Sequence, residues 1–151
     1  IAIGHLVSTR ASNGSGDAKG AFDAAKSWAE SNATKEVQGW MLDAENNVDV
    51  PYEPLIGFVR IGLTHAFRHL LLGTPYVDAL SETLLGGGDT DTNACIVGGL
   101  LGAAYGAEAI PKDMRDAVLT CDTSLGQSRP DFLHPRQIPD LVKRMLRSHE
   151  L

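Results

Sequence analysis

Residues 86–95 read GGGDTDTNAC, which sets two carboxylates one residue apart between threonines and behind three glycines. Carboxylates that close repel one another unless something positive lies between them. Two residues apart on an irregular or extended segment, side chains point to one side. Asp89 and Asp91 can then reach one divalent cation together, with Thr92 adding a hydroxyl oxygen. A ligand set made of oxygen alone selects hard ions, Mg²⁺, Mn²⁺ or Ca²⁺, over zinc. The loop is also expected to open a helix, whose first N–H groups and dipole favour anions. Gly86, Gly87 and Gly88 would let a phosphate or a ribose come near the backbone. A second reading stays open at this point: a capping loop in which Asp91 or Thr92 satisfies the first amides of the helix. An EF-hand is excluded by counting. With Asp89 as position 1, positions 6 and 12 are Ala94 and Leu100, where glycine and glutamate are needed.

Other reactive residues carry weaker signals. His65 and His69 stand four apart, a spacing that binds zinc on a helix, but Ala66 stands where a HExxH protease needs glutamate. The pair is expected to be partly buried, touching core and solvent. His5 and His134 have no recognisable partners. Ser8, Ser12, Ser15 and Ser128 lack a GxSxG setting, which leaves a serine hydrolase without support. Trp28, Trp40, Tyr76 and Tyr105 are able to stack on an adenine, although aromatics at helical spacing belong more often to a core. Arg129-Pro130-Asp131 reads as a surface turn with a local ion pair.

These residues must be positioned by helices. Ile1–Thr9 reads as the end of a buried helix, stopped by the loop Ala11–Asp17. Asp17 caps a second helix reaching Glu30, with Ala21, Ala24, Ala25 and Trp28 on its inner face. Thr34 starts a third, Lys35–Glu45, and Pro51 and Pro54 mark a linker. Ile56–Leu72 is a long helix with Val59, Leu63, Phe67, Leu70 and Leu71 at helical spacing, closed by Gly73. Thr74 as cap and Pro75 as first helical residue start the next, with Val77, Leu80 and Leu84 facing inward up to Leu85. After the glycine loop a helix runs from Thr92 to Tyr105, and Gly98, Gly99 and Gly102 in it allow close packing of neighbours. Pro111 opens a helix to Cys121, and Ile138–Ser148 makes the last. No segment shows strict alternation, so the fold class is all-α.

A chain of 151 residues is the size of one ordinary domain. Its 43% hydrophobic and 21% charged content is that of a globular protein, expected to be cytoplasmic. Nineteen acidic residues against 13 basic ones give a net charge of −6, and no basic stripe is interleaved with aromatics, so nucleic acid is not an expected partner. The one basic cluster, Lys143–Ser148, reads as a solvated helix face. Nor is a membrane expected, since no apolar run approaches the 18 to 20 or so residues of a span. Cys95 and Cys121 lie in apolar contexts without CxxC spacing and are expected to be buried thiols, a single disulfide being the alternative.

The segment GGDTDTNACIVGGLLGAAYG resembles the C-terminal signature of the ADP-ribosylglycohydrolase family, most specifically across Tyr76–Pro111. The likeness extends to HAFRHLL and TPYVDALSETLLGGG before it, and to AEAIPKDM and SRPDF after it. The resemblance implies an all-α orthogonal bundle with a binuclear Mg²⁺ or Mn²⁺ centre that removes ADP-ribose from a modified protein or small molecule. Asp89, Asp91 and Thr92 match the family's C-terminal metal ligands, with Asp89 and Asp91 also catalytic and Gly86, Gly87 and Gly88 at the substrate. The family's other ligands come from an N-terminal Thr-Asp-Asp motif with a GDALG-like segment before it. Neither occurs here, and the sequence has no Asp-Asp pair. The chain therefore reads as a single all-α domain or the C-terminal part of one, carrying half of a two-metal site. Opening at Ile1 on an apolar run is in keeping with a processed form or a fragment. Its partners would be ADP-ribose or an ADP-ribosylated substrate, together with a missing N-terminal half or a second chain. The alternative is a truncated, inactive ADP-ribose-binding or structural, crystallin-like relative. A truncated bundle should expose apolar surface around Ile1–Val7 and along the Thr92–Tyr105 helix.

Overall fold

The second and third helices begin where a side chain takes up a free backbone amide. In the computed structural model, which describes residues 1–147, Asp17 accepts from the Gly20 amide at 2.9 Å and starts α2, Ala18–Asn32. Thr34 accepts from the Val37 amide at 3.4 Å and starts α3, Lys35–Glu45, at the expected bounds. Ahead of them α1, Ala2–Asn13, continues past Thr9 until Gly14 turns left-handed at φ 78°. It continues because Thr9 and Ser12 bond back to the His5 and Ser8 carbonyls, at 2.8 and 3.1 Å, and so fit the helix instead of breaking it.

Helix α4, Val59–Leu72, starts three residues later than Ile56. The Ile56 and Phe58 amides are spent in a turn on the Pro54 and Leu55 carbonyls, both at 3.0 Å. Gly73 ends α4 at φ 65°, as expected. Pro75 flanks α5, Tyr76–Leu85, from outside. Then α6 runs Thr90–Tyr105, two residues longer at its start than the sequence reading. The described residues form eight α-helices and three single-turn 3₁₀ segments with no strand, and the class is all-α.

The contacts divide the chain into two units, Ile1–Ala109 and Ile110–Leu151. In the first, α6 packs against α1, α4 and α5. Leu6, Leu70, Val97 and Leu101 meet there, fully or almost fully buried. Each such side chain contributes about 1.5–3 kcal/mol by leaving water. A second cluster gathers Phe22, Ala29, Met41 and Ala44 from α2 and α3 against Leu63 and Phe67 of α4, with the Phe22 and Phe67 rings edge-on at 5.6 Å. Arg10 of α1 donates to the Ala104 carbonyl at 3.4 Å, a positive group at the end of α6 where the dipole favours one.

Several expected faces are turned. On α5, Ala79, Leu80 and Thr83 face inward while Val77 and Leu84 are exposed. Gly98 sets that choice, because the space a side chain would fill there is taken by Tyr76 and Leu80 at 3.1 and 3.3 Å. Gly99 has no neighbour, so only part of the small-residue run serves close packing. Trp28 is 52% exposed, not on the inner face of α2. Trp40, half-buried, meets Phe58 edge-on at 5.4 Å, and Tyr76 and Tyr105 pack on the first cluster as core aromatics. Cys95 and Cys121 are free thiols and exposed, not buried: Cys95 faces away from the side of α6 that carries Val97 and Leu101, and Cys121 lies beyond the end of α7. Helix α1 exposes Ile1, Ile3 and Val7, as expected of that segment, and is not the buried helix predicted. The large apolar residues of α6 are not exposed, since α1, α4 and α5 already cover Val97, Leu100 and Leu101.

In the second unit Pro111 precedes α7, Lys112–Leu119, which stops short of Cys121 where the Thr120 hydroxyl and amide both bond to the Asp116 carbonyl. Two 3₁₀ turns, Asp131–Leu133 and Pro135–Gln137, lead into α8, Ile138–Arg147. Asp131 pairs with Arg136, not with Arg129 of the same turn. Lys143 is solvated, in keeping with a charged helix face, and Ser148 at the end of that basic cluster lies outside the described residues. No described helix is long and apolar enough to cross a membrane.

Candidate functional site

The glycine loop hangs between the end of α5 and the start of α6. The Gly86 and Gly87 amides close α5 on the Glu82 and Leu84 carbonyls, at 3.0 and 3.4 Å. The chain then passes through positive φ at Gly87 and Gly88, 82° and 68°. Tyr52, from the Pro51–Pro54 linker, shapes the turn. A side chain at Gly86 would lie 2.3 Å from its ring, and one at Gly88 would lie 2.8 Å from its carbonyl oxygen. Gly87 has no atom within 4 Å, so the open backbone face of the loop is there.

Asp89 is the N-cap of α6 but makes no side-chain cap bond. Its carboxylate lies beside the linker, 3.4 Å from where a side chain at Gly57 would begin. Asp91, in the first turn, is exposed. The Asp89 carboxyl beside it, followed by the Thr92 amide and its own, holds the Asp91 carboxyl below the usual carboxylate range. The two acids are thus brought together at a helix start and not by extended alternation, since the helix begins at Thr90. Cation-holding and amide-capping readings of the loop are compatible in this geometry. Asp89, Asp91 and Thr92 all stand at the start of α6, with Asp91 and Thr92 exposed. The helix end carries only about half a positive charge, too little to offset two carboxylates.

Tyr52, Gly57 and buried Asn93, at 3% exposure with its side-chain N–H₂ unpartnered, surround the loop and were not singled out from sequence. Nothing local marks them, because their role comes from packing against residues 30 or more positions away.

His65 and His69 are fully buried, not partly solvent-facing. The Tyr52 ring stacks on the His65 ring at 4.4 Å between centroids and 10° between planes. His65 Nε2–H donates to the Val50 carbonyl at 2.8 Å, and His69 Nδ1 lies 3.2 Å from the Thr74 hydroxyl. Burial pushes both imidazoles below their ordinary range, so they are neutral at pH 7. Glu82 of α5 stands at 3.9 Å from His69 Nε2 and 2.7 Å from Arg68 Nη1, and the Arg68 bond holds its carboxyl low. The remaining histidines do find partners: His5 meets Asp17 at 3.3 Å, and His134 Nδ1 accepts the Arg136 amide at 3.1 Å.

The sequence model of the ADP-ribosylglycohydrolases matches residues 1–149, and the chain belongs to the ADP-ribosylglycohydrolase family. The family is hydrolase-type, typically metal-dependent, with ADP-ribose-related substrates. A protein of Acanthamoeba polyphaga mimivirus that carries the name of an ADP-ribosyl glycohydrolase is 43% identical over 68 residues, 45% of this chain and 20% of that relative. The match thus spans about a fifth of the relative's length. No solved structure matches the chain.

Proposed function

We propose that this chain supplies Asp89, Asp91 and Thr92 to a Mg²⁺ or Mn²⁺ centre that hydrolyses the N- or O-glycosidic bond to ADP-ribose in a modified protein or small molecule. The observation that carries the reading is the placement of Asp89 at the N-cap of α6 with exposed Asp91 and Thr92 in its first turn. Bound divalent cations supply ribose-hydroxyl binding and a polarised water in such a centre. The chain's own part is positional. Asp89 and Asp91 present negative charge on a helix end anchored by Val97 and Leu101. Gly86 and Gly88, folded around Tyr52, fix the loop that carries them, and the open face of Gly87 admits a phosphate or ribose to the backbone. Holding the diol at one place brings the scissile bond within reach, an effect of orientation rather than of charge. Further carboxylate ligands would come from an N-terminal half or from a second chain.

A non-catalytic ADP-ribose-binding or structural relative is the second reading, favoured by the lack of any Asp-Asp pair in the sequence. Calorimetric titration with Mg²⁺ and with ADP-ribose, run beside a hydrolysis assay, separates the two. The expected outcome is Mg²⁺-dependent ADP-ribose binding that Asp89→Ala weakens by about tenfold or more. If Asp89→Ala changes neither affinity nor hydrolysis, the metal-site reading is wrong. Binding by the native chain with no turnover, even after the N-terminal half is added back, selects the second reading.

A further inference from the structure

Two buried imidazoles on one face of α4 are left with a ring nitrogen that has no partner: His65 Nδ1 and His69 Nε2. A buried polar atom without a partner costs about 1–3 kcal/mol. Two of them on adjacent turns, with a carboxylate in front, ask for something that all three can bond. His65 Nε2–H is committed to the Val50 carbonyl, which leaves Nδ1 as a free lone pair. His69 reaches the same state at Nε2 when Nδ1–H donates to Thr74. Each imidazole is thus oriented through its other nitrogen by a carbonyl or hydroxyl, the support that metal-binding histidines receive. The His69 Nε2 lone pair stands 3.9 Å from Glu82 Oε1, whose charge the Arg68 guanidinium partly offsets, and an ion between them would be bonded by both.

We propose that His65, His69 and Glu82 form a binding site for a zinc-class transition-metal ion that ties α4 to α5, distinct from the hard-cation loop at Asp89. One ligand atom from each of the three lies within 4.8 Å of the others. Zinc bonds of about 2.0–2.2 Å place tetrahedral ligand atoms roughly 3.4 Å apart, so the gap closes with a side-chain adjustment. Glu82, 48% exposed on its side chain, is free to make that adjustment. Arg68, itself held by Asn47 at 2.7 Å, bonds the same Oε1 that faces His69, so a metal would share Oε1 with Arg68 or take Oε2 after a turn of the carboxylate. Two imidazoles and one carboxylate suit Zn²⁺ and its neighbours, not Mg²⁺. Both rings are already neutral, the protonation state a ligand needs. Glu82, Val50 and Tyr52 also line a cavity of about 570 Å³, which brings solvent up to Glu82. The ion would brace α5 immediately ahead of the glycine loop.

The test uses the full chain stripped with a chelator, then titrated with Zn²⁺ against a chromophoric competitor and with Co²⁺ by visible absorption. One Zn²⁺ per chain is expected, together with cobalt d–d bands that zinc displaces. Glu82→Gln should weaken zinc binding by about tenfold or more, and His69→Gln should remove the cobalt bands. Asp89→Ala should leave zinc affinity within about twofold, which keeps this site's failure distinguishable from failure of the Asp89 centre. Absence of zinc binding overturns the proposal, as does binding that Glu82→Gln leaves unchanged or that Asp89→Ala abolishes. Glu82 is half exposed, so its variant reports on the site even where a substitution at buried His69 prevents folding.

Discussion

Gly87 and Gly88 look alike in sequence and share a left-handed backbone, yet they answer to different constraints. At Gly87 the sole obstacle to a side chain is the φ of 82°, because no atom lies within 4 Å. Gly88 adds a backbone neighbour, the Tyr52 carbonyl at 2.8 Å, which has no rotamer to escape into. Gly87→Ala is therefore expected to cost about 1 kcal/mol and Gly88→Ala about 2–3 kcal/mol, read from denaturant unfolding of the two variants. Equal costs would mean that Tyr52 does not shape the loop. Gly87→Ala, which leaves the fold nearly intact, should nonetheless weaken ADP-ribose binding if substrate approaches the open face proposed for it.

Among the elements, α2 shows how a helix is tied to a single charged cap. Asp17 accepts the Gly20 amide, and that bond, followed by the His5 side chain, holds its carboxyl below the usual range. A depressed carboxylate contributes stability at pH values above its unfolded-chain range and loses it as pH falls through the folded one. Asp17→Ala should thus lower the thermal midpoint at pH 7, and the difference from the native chain should shrink as pH is taken below about 4. A difference that persists undiminished at pH 2 would show that the cap acts through something other than charge. At its other end α2 is closed by Gln38 of α3, whose side-chain N–H₂ faces the Ala29, Glu30 and Ala33 carbonyls at 3.1–3.2 Å. The pair α2–α3 is thus joined by polar caps as well as by Phe22 and Met41.

For the molecule as a whole, stability is concentrated in the first unit. Leu101 is fully buried between helices that all touch α6, and Leu101→Ala should cost about 2–5 kcal/mol with the spread set by how far the site collapses. Val118 of α7 is 56% exposed, and Val118→Ala should change stability by no more than about 0.5 kcal/mol. Chemical denaturation of both variants checks the contrast. Ile1 and Ile3, exposed at the start of α1, border a groove with Trp28, Met41 and Leu63.

Sequence alone determined the helices whose signals are local. The caps at Asp17 and Thr34 and the stop at Gly73 act within one or two turns, and they set the starts of α2 and α3 and the end of α4 where the structure has them. The GGDTDT loop was legible for the same reason, as a contiguous string with its chemistry in neighbouring residues. Tertiary packing decided the rest. Which stripe of α5 turns inward depends on Gly98 of α6, and whether Gly86 and Gly88 face substrate or Tyr52 depends on a linker more than 30 residues earlier. His65, His69 and Glu82 carried a weak signal as a spaced histidine pair, and α5 packing beside α4 was needed to add the carboxylate. Local patterns record which backbone hydrogen bonds a segment makes with itself; convergence of distant side chains is set by the faces that helices bury against one another, and no single segment contains that information.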